Sequence, residues 1–254
     1  MRVQYDVHNR VDGRLGTVFL NKEHRYNTLS PSFAKEVSRG IGSAYEDRMT
    51  KAIFMTTEHG RHWCNGTDFR TMLAMKKEGS YQRLADYLEQ IYQLQTQVAK
   101  TNKPIVAAAP GHAFNSGATL LAATGFPTMT VDSKMAFNEC TFGFVPHSGA
   151  TYYLSRLPHD FGTFLALTGM PIHGTDASQL QLVDTVLQNT KYVDEWLADV
   201  IFSQGFDPRE GHSVFSTHEH RIDRLDGPET MRDSLIGARL EQNAKLDQHE
   251  SLKA

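Results

Sequence analysis

The sequence predicts an α/β fold in which parallel strands are joined by crossover helices. Two observations carry that prediction. Short β-branched and aromatic runs of strand length recur along the chain, and segments with a helical apolar stripe lie between them. Residues 14–20, RLGTVFL, form one such strand and residues 51–57, KAIFMTT, the next. Between them, Ser30-Pro31 starts a helix: a side-chain oxygen for the free amides, then a residue that needs no amide partner. Phe33, Val37 and Ile41 follow at four-residue spacing as one buried stripe. A second long helix is expected over residues 80–100, where Leu84, Leu88, Ile91 and Val98 share a face beside Tyr81, Tyr87 and Tyr92.

Ile105–Ala109 is the third strand, and a helix begins at about Ser116. Thr128–Val131 is the fourth strand, and residues 148–170 read as helical. From about residue 205 the chain turns polar and strand signals stop. Met231, Leu235, Ile236 and Leu240 give that tail a thin apolar stripe on one helix, which docks on its own core or on another chain. Its last dozen residues are expected to fray unless a partner orders them. The chain therefore divides into a core of residues 1–200 and a tail of residues 201–254.

Bulk composition narrows the function classes. A chain of 254 residues buries a sizeable core, and 40% hydrophobic with 22% charged residues is ordinary globular composition. A net charge of −3 gives no reason to expect nucleic acid or an anionic membrane surface as a partner. Cys64 and Cys140 make no disulfide framework and suit a reducing compartment. No apolar run approaches the ~18 residues that span a bilayer. The opening MRVQYDVHNRVDGRLG lacks a hydrophobic signal core and carries Asp6 and Asp12 early. It reads as neither a secretory signal nor a transit peptide, and processing ahead of it is left open.

Three stretches carry candidate chemistry. In GRHWCNGTDFRTM, residues 60–72, Gly66 permits unusual backbone angles that would aim the Thr67 amide into a cavity. The competing reading is a plain turn into a helix capped by Thr67 or Asp68. In the second stretch, Gly111 turns the chain after the strand and Ser116-Gly117-Ala118 opens a helix. Unpaired amides there suit an oxyanion, unless the segment is only a tightly packed helix start. In the third, residues 134–158, Glu139 lies within an apolar, small-residue run, where a carboxylate is costly unless hydrogen-bonded or functional. His147 and Ser148 follow Pro146, but no G-x-S-x-G elbow is present and adjacent residues rarely form a dyad. Of the twelve histidines, His59/His62 and His218/His220 make no convincing metal set.

Together these stretches resemble the enoyl-CoA hydratase/isomerase (crotonase) superfamily. Trp63-Cys64-Asn65-Gly66-Thr67-Asp68 is similar to the family's aromatic-C-A-G-x-D loop. Lys103-Pro104, then Pro110-Gly111-His112-Ala113-Phe114-Asn115-Ser116-Gly117, stand against its K-P and N-G-x-x-x-G-G-G. Glu139 precedes Gly143 by four, as the family's acid does, and Leu20-Asn21-Lys22 with Asn27-Thr28-Leu29 resembles its L-N-R-P…N-A-L opening. Residues 143–157, GFVPHSGATYYLSRL, and Leu165-Ala166-Leu167-Thr168-Gly169 are most like the 3-hydroxyisobutyryl-CoA hydrolase group, whose members are longer than this chain. The likeness runs over roughly residues 1–200. It implies a spiral of ββα units with a C-terminal helical extension that often mediates trimers.

The resemblance also implies a chemistry: an acyl-CoA thioester, bound without a further cofactor or metal, whose carbonyl oxygen is held by the backbone amides of Thr67 and Ser116. Losing one such donor costs ~3 kcal/mol of transition-state stabilisation. Asn115 and Ser116 replace two glycines, so Asn115 either obstructs the ligand or shifts the amide. Hydration needs two acid/base groups, and the first falls at Thr119, which is no base at neutral pH. The hydrolases would use Glu139 with an aspartate, here His147. Isomerisation needs one carboxylate, and Glu139 stands for it; Asn138-Glu139 resembles one mitochondrial isomerase group. Two readings follow: an isomerase- or hydrolase-type enzyme, or a lapsed enzyme kept as a structural subunit. The subunit would belong to a mitochondrial assembly, such as the mitochondrial ribosome, where hydrolase-like members of this superfamily occur, or a respiratory complex. Either would be mitochondrial, as a homo-oligomer or within a larger complex.

Overall fold

The computed structural model of the protein describes residues 4–10, 13–22, 25–57, 62–189 and 191. The expected tail, residues 201–254, lies outside the described residues. Among the described residues no helix is long and apolar enough to cross a membrane.

Two sheets form the frame. The larger opens with the antiparallel pair β1 (Gln4–Arg10) and β2 (Gly13–Phe19). It continues in parallel through β3 (Thr50–Thr56), β5 (Ile105–Ala109), β7 (Phe126–Thr130) and β10 (Thr185–Leu187), in the order β1-β2-β3-β5-β7-β10. The smaller sheet has β4 (His62–Cys64), β6 (His112–Phe114) and β8 (Lys134–Ala136) in parallel, with β9 (Ile172–His173) antiparallel on β8. β5 and β7 are buried at every residue, as parallel strands covered on both faces must be.

The chain order makes this a spiral of ββα units, as the resemblance implies. Each turn sends one strand to the large sheet, a short one to the small sheet, and then a helix. After β4 come α2 (Phe69–Lys77) and α3 (Tyr81–Lys100); after β6 comes α4 (Ser116–Ala122). After β8 comes a single 3-10 turn, Glu139–Phe142. Three segments therefore leave the same end of one parallel sheet, which brings their first residues together.

Helix α1 (Pro31–Glu46) buries Phe33, Val37 and Ile41 with Ala34, Gly40 and Ala44, and it lies against β2, β3 and α3. Phe33, Val37 and Ile41 each contribute roughly 1.5–3 kcal/mol by leaving water. Pro31 does start the helix, but the Ser30 hydroxyl does not cap it. That oxygen instead accepts a hydrogen bond from Lys22 Nζ at 3.1 Å. On α3, Tyr87, Ile91, Leu94, Gln95 and Val98 are buried, Leu84 and Leu88 only half so, and Tyr81 and Tyr92 face out.

Residues 148–170 are not one helical stretch. They form α5 (Ala150–Leu154) and α6 (Phe161–Thr168), separated by a turn that holds Pro158 and, at φ 51°, His159. Proline without an amide and a left-handed residue stop the helix between them. A last short helix, α7 (Gly174–Gln179), leads into β10.

Candidate functional site

The first site loop follows β4 and is tightly braced. The Asn27 side chain donates to the carbonyls of His62 at 3.0 Å and Trp63 at 3.1 Å, while its Oδ1 accepts from the Lys22 amide at 2.6 Å. The Leu29 amide donates to Gly66 O at 2.7 Å, and Leu29 bridges Thr67. The Tyr87 hydroxyl accepts from the Asp68 amide at 2.8 Å and donates to Leu29 O. Asp68, not Thr67, caps α2, accepting from the Thr71 amide at 3.1 Å. Gly66 has φ +71°, and a Cβ there would lie 2.0 Å from Asn115 Oδ1, so only glycine fits. The Thr67 amide is thereby aimed inward.

The second loop follows β6. Helix α4 sits hard on β4: a Cβ on Gly117 would come within 2.2 Å of Cys64 O. That approach sets the Ser116 amide beside the Thr67 amide. Cys64 itself is wholly buried, which pushes its thiol up to about 12. Gln95 of α3 donates to Ser116 O at 2.7 Å and pins the first turn of α4.

The sequence reading treats both amides as free, and here the structure corrects it. The Thr67 and Ser116 N–H groups each donate to one atom, Asn115 Oδ1, at 2.7 Å. Asn115 Nδ2 donates in turn to Asn65 O at 2.6 Å, and the Asn115 amide to Ala136 O at 2.7 Å. Two amides at this distance from a shared carbonyl oxygen have the geometry of an oxyanion hole. The carbonyl is the chain's own. The amides converge, and the Asn115 side-chain oxygen lies between them. Its backbone has φ 41° and ψ −123°, a conformation normally left to glycine.

A buried polar chain runs outward from that oxygen. Ser116 Oγ lies 3.3 Å from Asn115 Oδ1 and 2.8 Å from Thr67 Oγ1, which is 3.2 Å from His147 Nε2. His147 Nδ1 is hydrogen-bonded to Ser148 Oγ. Phe69, Phe144 and Tyr92 stand edge-on or tilted around the imidazole, with the Phe144 ring 5.2 Å away. Burial pushes His147 down to about 4, so it is neutral at pH 7 and carries no proton to give as an imidazolium.

Glu139 opens the 3-10 turn and is wholly buried. Neither carboxylate oxygen has a partner in hydrogen-bonding geometry. Burial pushes its pKa up to about 7, which the nearby amides of Glu139 and His147 oppose only in part. Such a carboxyl is poised to exchange a proton at neutral pH. Thr119, where a second acid would stand, is buried and its hydroxyl is likewise unpartnered. Its methyl lies near Gly149.

The four candidate residues therefore fall into two sets. Thr67, Ser116 and His147 join one hydrogen-bonded network, and Glu139 stands outside it. The network's central member, Asn115, is what the sequence reading does not assign, although an asparagine in a glycine position is the signal that points to it. Of the histidines considered as ligands, His59, His218 and His220 lie outside the described residues. Among the described residues no three His, Cys, Asp or Glu side chains gather as a metal site would require.

Comparison with known proteins adds the following. The family model described as enoyl-CoA hydratase/isomerase matches residues 15–250. The mitochondrial 3-hydroxyisobutyryl-CoA hydrolase of Xenopus tropicalis is 28% identical over 180 residues, covering 70% of this chain and 46% of the hydrolase. Small ribosomal subunit protein mS47 of Arabidopsis thaliana is 27% identical over 157 residues, 62% of this chain and 38% of that protein. The chain thus spans less than half the length of these curated relatives. Among solved structures, enoyl-CoA hydratase from Bacillus halodurans superposes with a TM-score of 0.71 at 17% identity, over 97% of this chain and 92% of that one. The Bacillus anthracis enoyl-CoA hydratase gives 0.68 at 22% identity, over 77% and 74%. At these identities the structural likeness is one of fold.

Proposed function

The chain belongs to the enoyl-CoA hydratase/isomerase family, and from that premise we propose that it is a catalytically lapsed member serving as a structural subunit of a mitochondrial assembly. One observation carries the reading: both amides that would hold a thioester carbonyl already donate to Asn115 Oδ1. An oxyanion hole acts by offering preorganised donors to charge that develops in the transition state, and donors already committed offer nothing. Thr119 in place of an acid points the same way. The small ribosomal subunit protein among the relatives supports an assembly role, and the mitochondrial hydrolases support the compartment.

A second reading is favoured by Glu139. Its unpartnered, buried carboxyl with a pKa near 7 suits one-carboxylate chemistry on an acyl-CoA, isomerase- or hydrolase-type, once Asn115 moves aside. Two measurements decide. On a size-resolving gradient of mitochondrial extract, the chain is expected to migrate with a large assembly, whether ribosomal or respiratory. The purified chain is expected to show no turnover of 3-enoyl-CoA or 3-hydroxyacyl-CoA thioesters. Turnover that disappears in Glu139→Gln would overturn the structural reading.

A further inference from the structure

Asn115 has a ligand's hydrogen bonds. Its Oδ1 accepts from two backbone amides at 2.7 Å, and its Nδ2 is fixed on Asn65 O at 2.6 Å. Around that oxygen stand buried polar groups that ordinary core packing does not call for: Thr67 Oγ1, Ser116 Oγ and the His147 ring. The backbone holds the side chain there in a conformation that disfavours any residue but glycine.

Resting on the non-catalytic reading above, we propose that Asn115 is a built-in carbonyl surrogate: it plugs an otherwise intact site for a thioester carbonyl, so one side chain decides whether the chain binds an acyl-CoA. The amide pair does not depend on the plug for its placement. Thr67 is held by Leu29 and by the Gly66 turn, and the neighbouring Asp68 amide by Tyr87. Ser116 is held by Gln95 and by the approach of Gly117 to Cys64. With the carboxamide gone, both N–H groups still converge on one point. A thioester brings an sp2 oxygen with two lone pairs to that point, and a thioether does not.

Isothermal titration of the full chain with butyryl-CoA, and with its thioether analogue S-butyl-CoA in which CH2 replaces the thioester carbonyl, tests this. Asn115→Gly suits the backbone angles, and its folding is checked by thermal melting. It is expected to bind the thioester at least about tenfold more tightly than the unmodified chain, because the competing internal carbonyl no longer lowers the open fraction. The thioether is expected to gain little. Asn115→Ala should show the same selective gain. A folded Asn115→Gly with no gain, or with equal gains for thioester and thioether, overturns the proposal. The unmodified chain gives an independent reading: its Thr67 and Ser116 amide NMR signals are expected to stay in place with millimolar butyryl-CoA. Movement of both to the same extent, at the same ligand concentration, as in Asn115→Gly would show that the carboxamide does not compete with ligand, and the proposal fails. Turnover by the unmodified chain that accelerates in Asn115→Gly would instead remove the non-catalytic reading and leave the plug standing.

Discussion

The amide pair and the carboxylate that would work with it have met opposite fates. Thr67 and Ser116 have a partner within the chain, and both polar atoms of the Asn115 side chain are hydrogen-bonded. Glu139 has kept its burial and lacks a partner in hydrogen-bonding geometry for either oxygen. The Asn115 carboxamide thus satisfies its own polar atoms and two amides at the expense of a strained backbone. A buried carboxyl without such partners strains the protein.

The largest expected effect comes from breaking the closed half. Gly66→Ala puts a methyl into Asn115 Oδ1 on a backbone at φ +71°, and should cost about 4 kcal/mol, read as a fall in urea midpoint. Next is the strained half. Glu139 has its folded pKa raised to about 7 from 4.5, so the native state binds more protons than the unfolded state between those values. Its contribution therefore falls as pH rises from 4.5 to 7, by about 3 kcal/mol. His147, lowered from 6.5 to about 4, has the opposite sign: the unfolded state binds the extra proton, and stability rises with pH across 4–6.5 by a similar amount. The two nearly cancel between pH 4.5 and 6.5. Glu139→Gln should uncover the histidine slope there and leave the variant about 3 kcal/mol more stable at pH 8. A flat profile in the variant would contradict that assignment.

Smaller effects sharpen the comparison. Tyr87→Phe removes one hydroxyl that serves both the Asp68 amide and the Leu29 carbonyl, and should cost about 2 kcal/mol in chemical denaturation. Asn115→Gly loses four hydrogen bonds but releases backbone strain of about 1–3 kcal/mol. These terms oppose, so its unfolding free energy should lie within about 1 kcal/mol of the unmodified chain's.

Much of the fold was legible because its long elements announce themselves. Ile105–Ala109 and the start of α4 at Ser116 stand as read, and β2, β3 and β7 fall within two residues of their expected ends. The small sheet was not legible, since strands of two or three residues such as Lys134–Ala136 have too few positions to show a period. The break at Pro158 was written in the sequence but hidden by apolar spacing on either side of it. Within the site, loop positions for Thr67 and Ser116 followed from motif order. That a side chain five bonds from its own helix start would turn back and take both amides is a matter of rotamer and register, and only coordinates report it.

The burial of Cys64 beneath α4 has a practical consequence. The chain has two thiols, and Cys64, sealed and held protonated, is closed to alkylating reagents, whereas Cys140 is half-exposed in the 3-10 turn next to Glu139. A maleimide fluorophore added to the native protein should therefore attach at one place, one residue from the orphaned carboxyl. The molecule comes equipped for single-site labelling beside Glu139 without any engineered cysteine.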